Sequence, residues 1–221
     1  MNKLLKLSAI ALLASSTSLM AQSKSFEGAS IGLFGSMIGA EVDGKVTDSN
    51  SAVSTGSIGK VTPVAGLDAS YTFATGSNGF FGIGATYLAG EAEFGVGNAD
   101  SSSDATKSFN GKIKDHYTVY IQPGYAVSKD SAVYGKLSYN HADFNVSNAV
   151  KQPGDLQGWG YGVGLKTFLT ANAFVQVEAS YTEYDTLTAT RTAAAGGGTG
   201  ITTVSGTPTI AAGTITIGYK F

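Results

Sequence analysis

Few side chains in this sequence could do chemistry. Its 221 residues include two histidines, His116 and His141, and no cysteine, with 16 acidic and 14 basic groups. Without a thiol, disulfides and thiolate metal sites are excluded. His141 stands two residues before Asp143 and three after Ser138. Those are the residue types of a nucleophile, a base and an acid, but such a triad needs an alignment in space that spacing alone does not supply. Gly90, Gly95, Gly97 and the run Gly196-Gly197-Gly198 have no Lys-Ser/Thr after them, so they read as loop glycines and not as a phosphate cradle. Asp100 and Asp104 flank a serine run at a spacing that fits no calcium loop. No catalytic residue, cofactor site or metal site is assigned.

What remains is charge set within an alternating framework. Asp68, Glu178, Lys136, Lys166 and Lys220 all fall at polar positions of segments whose alternate residues are apolar. If those positions face an enclosed interior, each charge needs a partner. An interior polar network of Asp68, Lys136, Lys166 and Glu178 is expected. Glu178 should pair with Lys136 or Lys166, because the strands that carry them are neighbours. The same groups would also serve a narrow pore gated by exchange of ion-pair partners.

The elements that position these groups show a period of two, the signature of strands with one greasy and one wet face. The end of the chain is the clearest case. Ile215, Ile217, Tyr219 and Phe221 alternate with Thr214, Thr216, Gly218 and Lys220. Seven further segments follow the same rule, near residues 28–42, 62–73, 80–94, 114–127, 132–144, 158–168 and 173–184. Their apolar positions include Leu33, Leu67, Ile83, Val119, Leu137, Val163 and Val177, and none of the positions placed on that face is charged. Each segment holds at least the nine to eleven residues that cross a bilayer as a tilted strand.

The connections alternate in length. Residues 74–79, 128–131 and 170–172 are short and rich in turn formers, whereas residues 43–61, 95–113, 145–157 and 185–209 are long. Short turns at one end and long loops at the other suit a membrane barrel. Aromatics agree, with Tyr71, Phe73, Phe81, Tyr125, Tyr219 and Phe221 toward the short-turn rim. Tyr87, Tyr117, Tyr139, Trp159, Tyr161 and Tyr181 lie toward the other rim. Eight tilted steps from Tyr117 to Tyr125 span about 20 Å, near the height of an apolar band. The expected fold is all-β, an eight-stranded antiparallel transmembrane β-barrel, whose interior side chains would about fill it and leave no wide channel. Glycines of the third and sixth segments would make room for Phe34, Tyr120 and Tyr134.

Composition is consistent with this. Charged residues make up 14%, with 30 Gly and four Pro. No apolar run of about 18 residues occurs beyond the start, so a helical membrane protein is not expected. Near-balanced charge without a basic cluster makes nucleic acid a poor partner. Lys3 and Lys6 followed by the short apolar stretch Leu7–Met20 read as a signal peptide over residues 1–21, cut at or near Ala21, with the barrel domain over 22–221. No Cys follows the cut, so a lipoprotein anchor is not expected.

The stretch Gly160-Tyr161-Gly162-Val163-Gly164-Leu165-Lys166, a short turn, then Val175-Gln176-Val177-Glu178 and Tyr181 is similar to strands six and seven of small bacterial barrels. The pattern resembles the OmpA/OmpX type of outer-membrane barrel and, more loosely, the opacity-porin family, over residues 26 to 221. Nothing follows Phe221, so the peptidoglycan-binding domain of full-length OmpA is not expected. The resemblance implies a place in the bacterial outer membrane, among its lipid and lipopolysaccharide. It also implies that Ile217, Tyr219 and Phe221 form the C-terminal signal read by the barrel assembly machinery. The resemblance does not fix an activity. The role expected is structural or one of surface interaction through four extracellular loops, toward an extracellular ligand or phage, with a small gated pore as the alternative. In the outer-membrane deacylases a His and a Ser sit two apart on one strand. Here that place is Asp143, so an enzyme is not expected.

Overall fold

A computed structural model describes residues 22–48, 53–90, 92–94, 111–146, 154–193 and 200–221. The expected signal peptide, Asp100, Asp104 and the glycines at 95, 97 and 196–198 lie outside the described residues. After a 3-10 turn at Gln22–Phe26, ten strands follow: β1 (Gly28–Asp48), β2 (Val53–Ala74), β3 (Gly79–Ala89), β4 (Ala92–Phe94), β5 (Gly111–Ala126), β6 (Ser131–Val146), β7 (Leu156–Phe168), β8 (Ala173–Tyr184), β9 (Leu187–Ala193) and β10 (Gly200–Lys220). β3 with β4 forms one stave against β5, and β8 with β9 forms one stave against β10, so the wall is an eight-stranded antiparallel barrel. No described helix is long and apolar enough to cross a membrane.

The wall closes where the last strand meets the first. Leu33 opposes Ile217, Ile31 opposes Tyr219, and the amide of Phe221 donates to the carbonyl of Ala29 at 2.9 Å. Closure leaves no sheet edge within that span, which a strand crossing hydrocarbon requires, because lipid offers its backbone no hydrogen bonds. The short turns at residues 75–78, 127–130 and 169–172 all lie at one end, called here the inner end.

The apolar face points outward. Leu33, Leu67, Val163 and Ile217 are each more than half exposed, while Ser30, Thr72, Gln122 and Thr216 on the alternate positions are buried. Aromatics pair across strands at the outer rim, Tyr139 against Trp159 and Tyr161 against Tyr181, each with ring centroids 5.5 Å apart. At the inner rim Tyr219 packs on Phe221 at 5.3 Å.

Two expectations need correction. Residues 43–61 are not a long loop, since β1 and β2 pair as far as Thr47 and Val53, and β10 begins at Gly200, well before Gly213. These stretches are Gly-, Ser- and Thr-rich, which imitates a loop, but the pairing continues past the membrane. The inward face is also not wet throughout. At the outer end Ala40, Leu88, Ile113, Ala142, Leu156, Tyr184 and Ile210 pack into an apolar cluster inside the barrel. Beyond the bilayer the outer wall meets water, so burying apolar groups inside is again favourable, as in a soluble protein. A bulge in β5 helps. Asp115 adopts φ 48°, a left-handed conformation that Asp tolerates, and the register shifts between Lys114 and Tyr117, which turns Ile113 inward.

Candidate functional site: the packed lumen

The middle of the lumen holds the charged residues. Lys136 on β6 and Glu178 on β8 project inward from the two strands flanking β7, whose opposing positions Gly162 and Gly164 carry no side chain. They meet across that gap, Lys136 Nζ donating to Glu178 Oε1 at 2.9 Å, with 14% and 6% of their side chains exposed. The Tyr134 hydroxyl donates to Glu178 Oε2 at 3.1 Å, so both carboxylate oxygens are engaged. Asp68 on β2 accepts from the Tyr120 hydroxyl at 2.8 Å, and the Lys136 amine sits 4.4 Å from the centroid of the Tyr120 ring. Asp68, Tyr120, Lys136, Glu178 and Tyr134 therefore form one connected set spanning β2, β5, β6 and β8. A buried charge pair of this kind costs desolvation that only such complete hydrogen bonding offsets.

Lys166, the other cation expected for Glu178, is placed differently. It is buried and sits over the Phe174 ring, 3.9 Å from the centroid, nearer the inner end. Lys220 donates to the carbonyl of Ser25 at 2.7 Å. Ile217, Tyr219 and Phe221 lie on the outer face, each about half exposed or more.

Glycines make the tyrosine placement possible. A Cβ on Gly84 would fall 2.5 Å from the Tyr120 hydroxyl, and one on Gly164 would overlap the Tyr134 ring. Room for Phe34 comes from Gly66 on β2, not from the third or sixth segment.

Three layers thus fill the lumen. Phe26, Phe80, Ala126, Ala132, Tyr134, Phe168 and Phe174 pack at the inner end, the ion-pair set lies above them, and the apolar cluster lies toward the outer end. Between the last two lies a cavity of about 100 Å³, edged by Phe34, Ile38 and Val64 as well as Asp68, Glu178 and Asn140. It has room for several waters and polar groups to hold them. His116 reaches it and bonds through Nε2 with the Tyr184 hydroxyl at 3.1 Å.

Ser138, His141 and Asp143 do not come together as a triad. Ser138 is buried in the lumen, accepting from Asn140 Nδ2 at 3.2 Å, whereas His141 lies on the outer face against the Tyr117 ring at 4.9 Å. An offset of three residues on a strand puts the two on opposite faces. His141 does approach Asp143 and Asp155, with potential ligand atoms all within 4.8 Å of one another. Such groups are common at a surface without an ion and carry no metal assignment alone. The sequence signal for this cluster was partial, because Asp155 joins from the far side of a long connection.

A family model described as outer membrane protein beta-barrel domain matches residues 9–221. No curated protein matches the chain. Among solved structures, the outer membrane protein OprG from Pseudomonas aeruginosa is 17% identical, with a TM-score of 0.55, over 88% of this chain and 96% of that one. The outer membrane protein AlkL, determined in lipid bilayers, is 15% identical, with a TM-score of 0.51, over 94% of each chain. At these identities the likeness is one of fold.

Proposed function

This chain belongs to the outer membrane protein β-barrel domain family and lies in the bacterial outer membrane, and from that premise we propose that it is a non-conducting surface barrel that acts through its outer end. The observation that carries this reading is the filled lumen. The Lys136–Glu178 pair, the two tyrosines bonded to acids and the phenylalanines beneath them occupy its cross-section at successive levels. Opening a path for ions would mean breaking a 2.9 Å buried ion pair and displacing aromatic rings. The lipid-facing residues anchor the wall among lipid and lipopolysaccharide, and Ile217, Tyr219 and Phe221 are the signal presented to the assembly machinery. An extracellular ligand or phage would meet the four outer connections, and no catalytic role is proposed.

Recording currents from purified protein in planar bilayers tests this. The expected result is a flat baseline over both polarities and across moderate pH. Stable unitary steps would replace this reading with that of a small gated pore.

A further inference from the structure

The inner mouth of the barrel is covered by a piece of chain that is not part of the wall. The turn Gln22–Phe26 has five residues, too few to hold a helical shape by its own hydrogen bonds. What holds it is the barrel. The Ser23 amide donates to the carbonyl of Ser77 at 3.1 Å and its hydroxyl to that of Gly76 at 2.6 Å, while Asn78 Nδ2 donates to Gln22 Oε1 at 3.0 Å. These bonds fix the turn to the β2–β3 connection. On the other side Lys220, the last residue of β10, donates from its amine to the Ser25 carbonyl at 2.7 Å.

Between these two attachments Phe26 points up into the lumen and is 1% exposed. Its ring stacks on Phe80 with centroids 5.4 Å apart and planes 12° apart, and it lies 5.3 Å from Phe168. Phe168 packs on Phe174, the ring beneath the Lys166 amine. An apolar seal therefore separates the buried cation from the periplasmic side.

We infer that Gln22–Phe26 is a stopper for the inner mouth, with Phe26 seated between Phe80 and Phe168 and the turn latched to the β2–β3 connection and to Lys220. The stopper makes the lumen a chamber closed to the periplasm, and its latch joins the first described residues to the final strand beside the closing seam. A sealed mouth would itself stop ions, but the Lys136–Glu178 set above it obstructs the lumen without it, so this inference can fail while the non-conducting reading stands.

The chain has no cysteine, so one introduced thiol reports cleanly. Ala126 is fully buried in the same aromatic cluster. With A126C refolded in micelles, the rate of labelling by a small charged thiol reagent is measured alone and combined with F26A. The expected result is slow labelling of A126C and at least a tenfold faster rate in A126C/F26A, with heat-modifiable gel migration retained as the sign of a closed wall. Equal rates, whether both slow or both fast, overturn the stopper. If A126C/F26A does not fold, A126C/S23A decides, since it removes one latch bond and leaves the aromatic seat. A severalfold faster rate is then expected, and an unchanged rate overturns the proposal.

Discussion

Glu178 is the residue on which the middle of the lumen depends. One oxygen accepts from Lys136 and the other from Tyr134, and 6% of its side chain is exposed. Removing the cation leaves a buried carboxylate with one partner, so K136M should lower stability by about 3–5 kcal/mol, the range for breaking one side of a buried pair. K136M/E178M removes both charges and should recover most of that loss. Urea titration of the folded form in micelles, followed by gel shift, would check both; equal loss in the single and double variants would contradict the pairing. The position of these residues was legible in the sequence, because each is a polar residue in an alternating strand. The partner choice was not. Lys136 and Lys166 stand on adjacent strands, and only three-dimensional packing decides that Lys166 goes to Phe174. Phe26 gave no signal either, since one aromatic before the first alternating segment looks like any loop residue.

At the scale of elements, alternation located every stave but not its length. Leu33, Leu67 and Ile217 lie on the outer face as the period of two requires, because a one-residue slip would exchange the two faces. The outward face is tested by L33R. Leu33 is flanked across the wall by Leu67 and Ile217. A cation there sits in hydrocarbon and should cost about 2–4 kcal/mol. Reversible unfolding in lipid vesicles would measure the change, and a loss below about 1 kcal/mol would place Leu33 outside the apolar band. The strand ends were harder to read. The alternation seen within the bilayer changes meaning above it, where inward positions such as Ala40, Leu88 and Ile210 carry apolar side chains that pack into a cluster. No period-two pattern announces that change. The bulge at Asp115 also reverses the faces of β5 within a single strand.

As a whole molecule the barrel rises unevenly. β2 pairs with β3 from Ala65 to Ala74 but with β1 up to Val53, and β10 and β1 pair to Asp48. Among the described residues, β9, β10, β1 and β2 therefore continue outward as one raised sheet and β4, β5 and β6 as another. Between their bases Ala40, Ile113, Ala142 and Ile210 join the apolar cluster at the outer end of the lumen. The function proposed for the outer end rests on this separation: a grease-coated wall in the membrane, a filled interior, and an exposed crown. Trp159, the one tryptophan in the chain, is 61% exposed at the outer rim beside Tyr139. It offers the most direct test, by quenching its fluorescence with lipids brominated at different depths in reconstituted vesicles. The account predicts strong quenching that is greatest for bromines nearest the headgroup. Fluorescence unaffected by brominated lipid at every depth would mean that Trp159 faces the lumen or water, and would contradict the outward orientation of the wall.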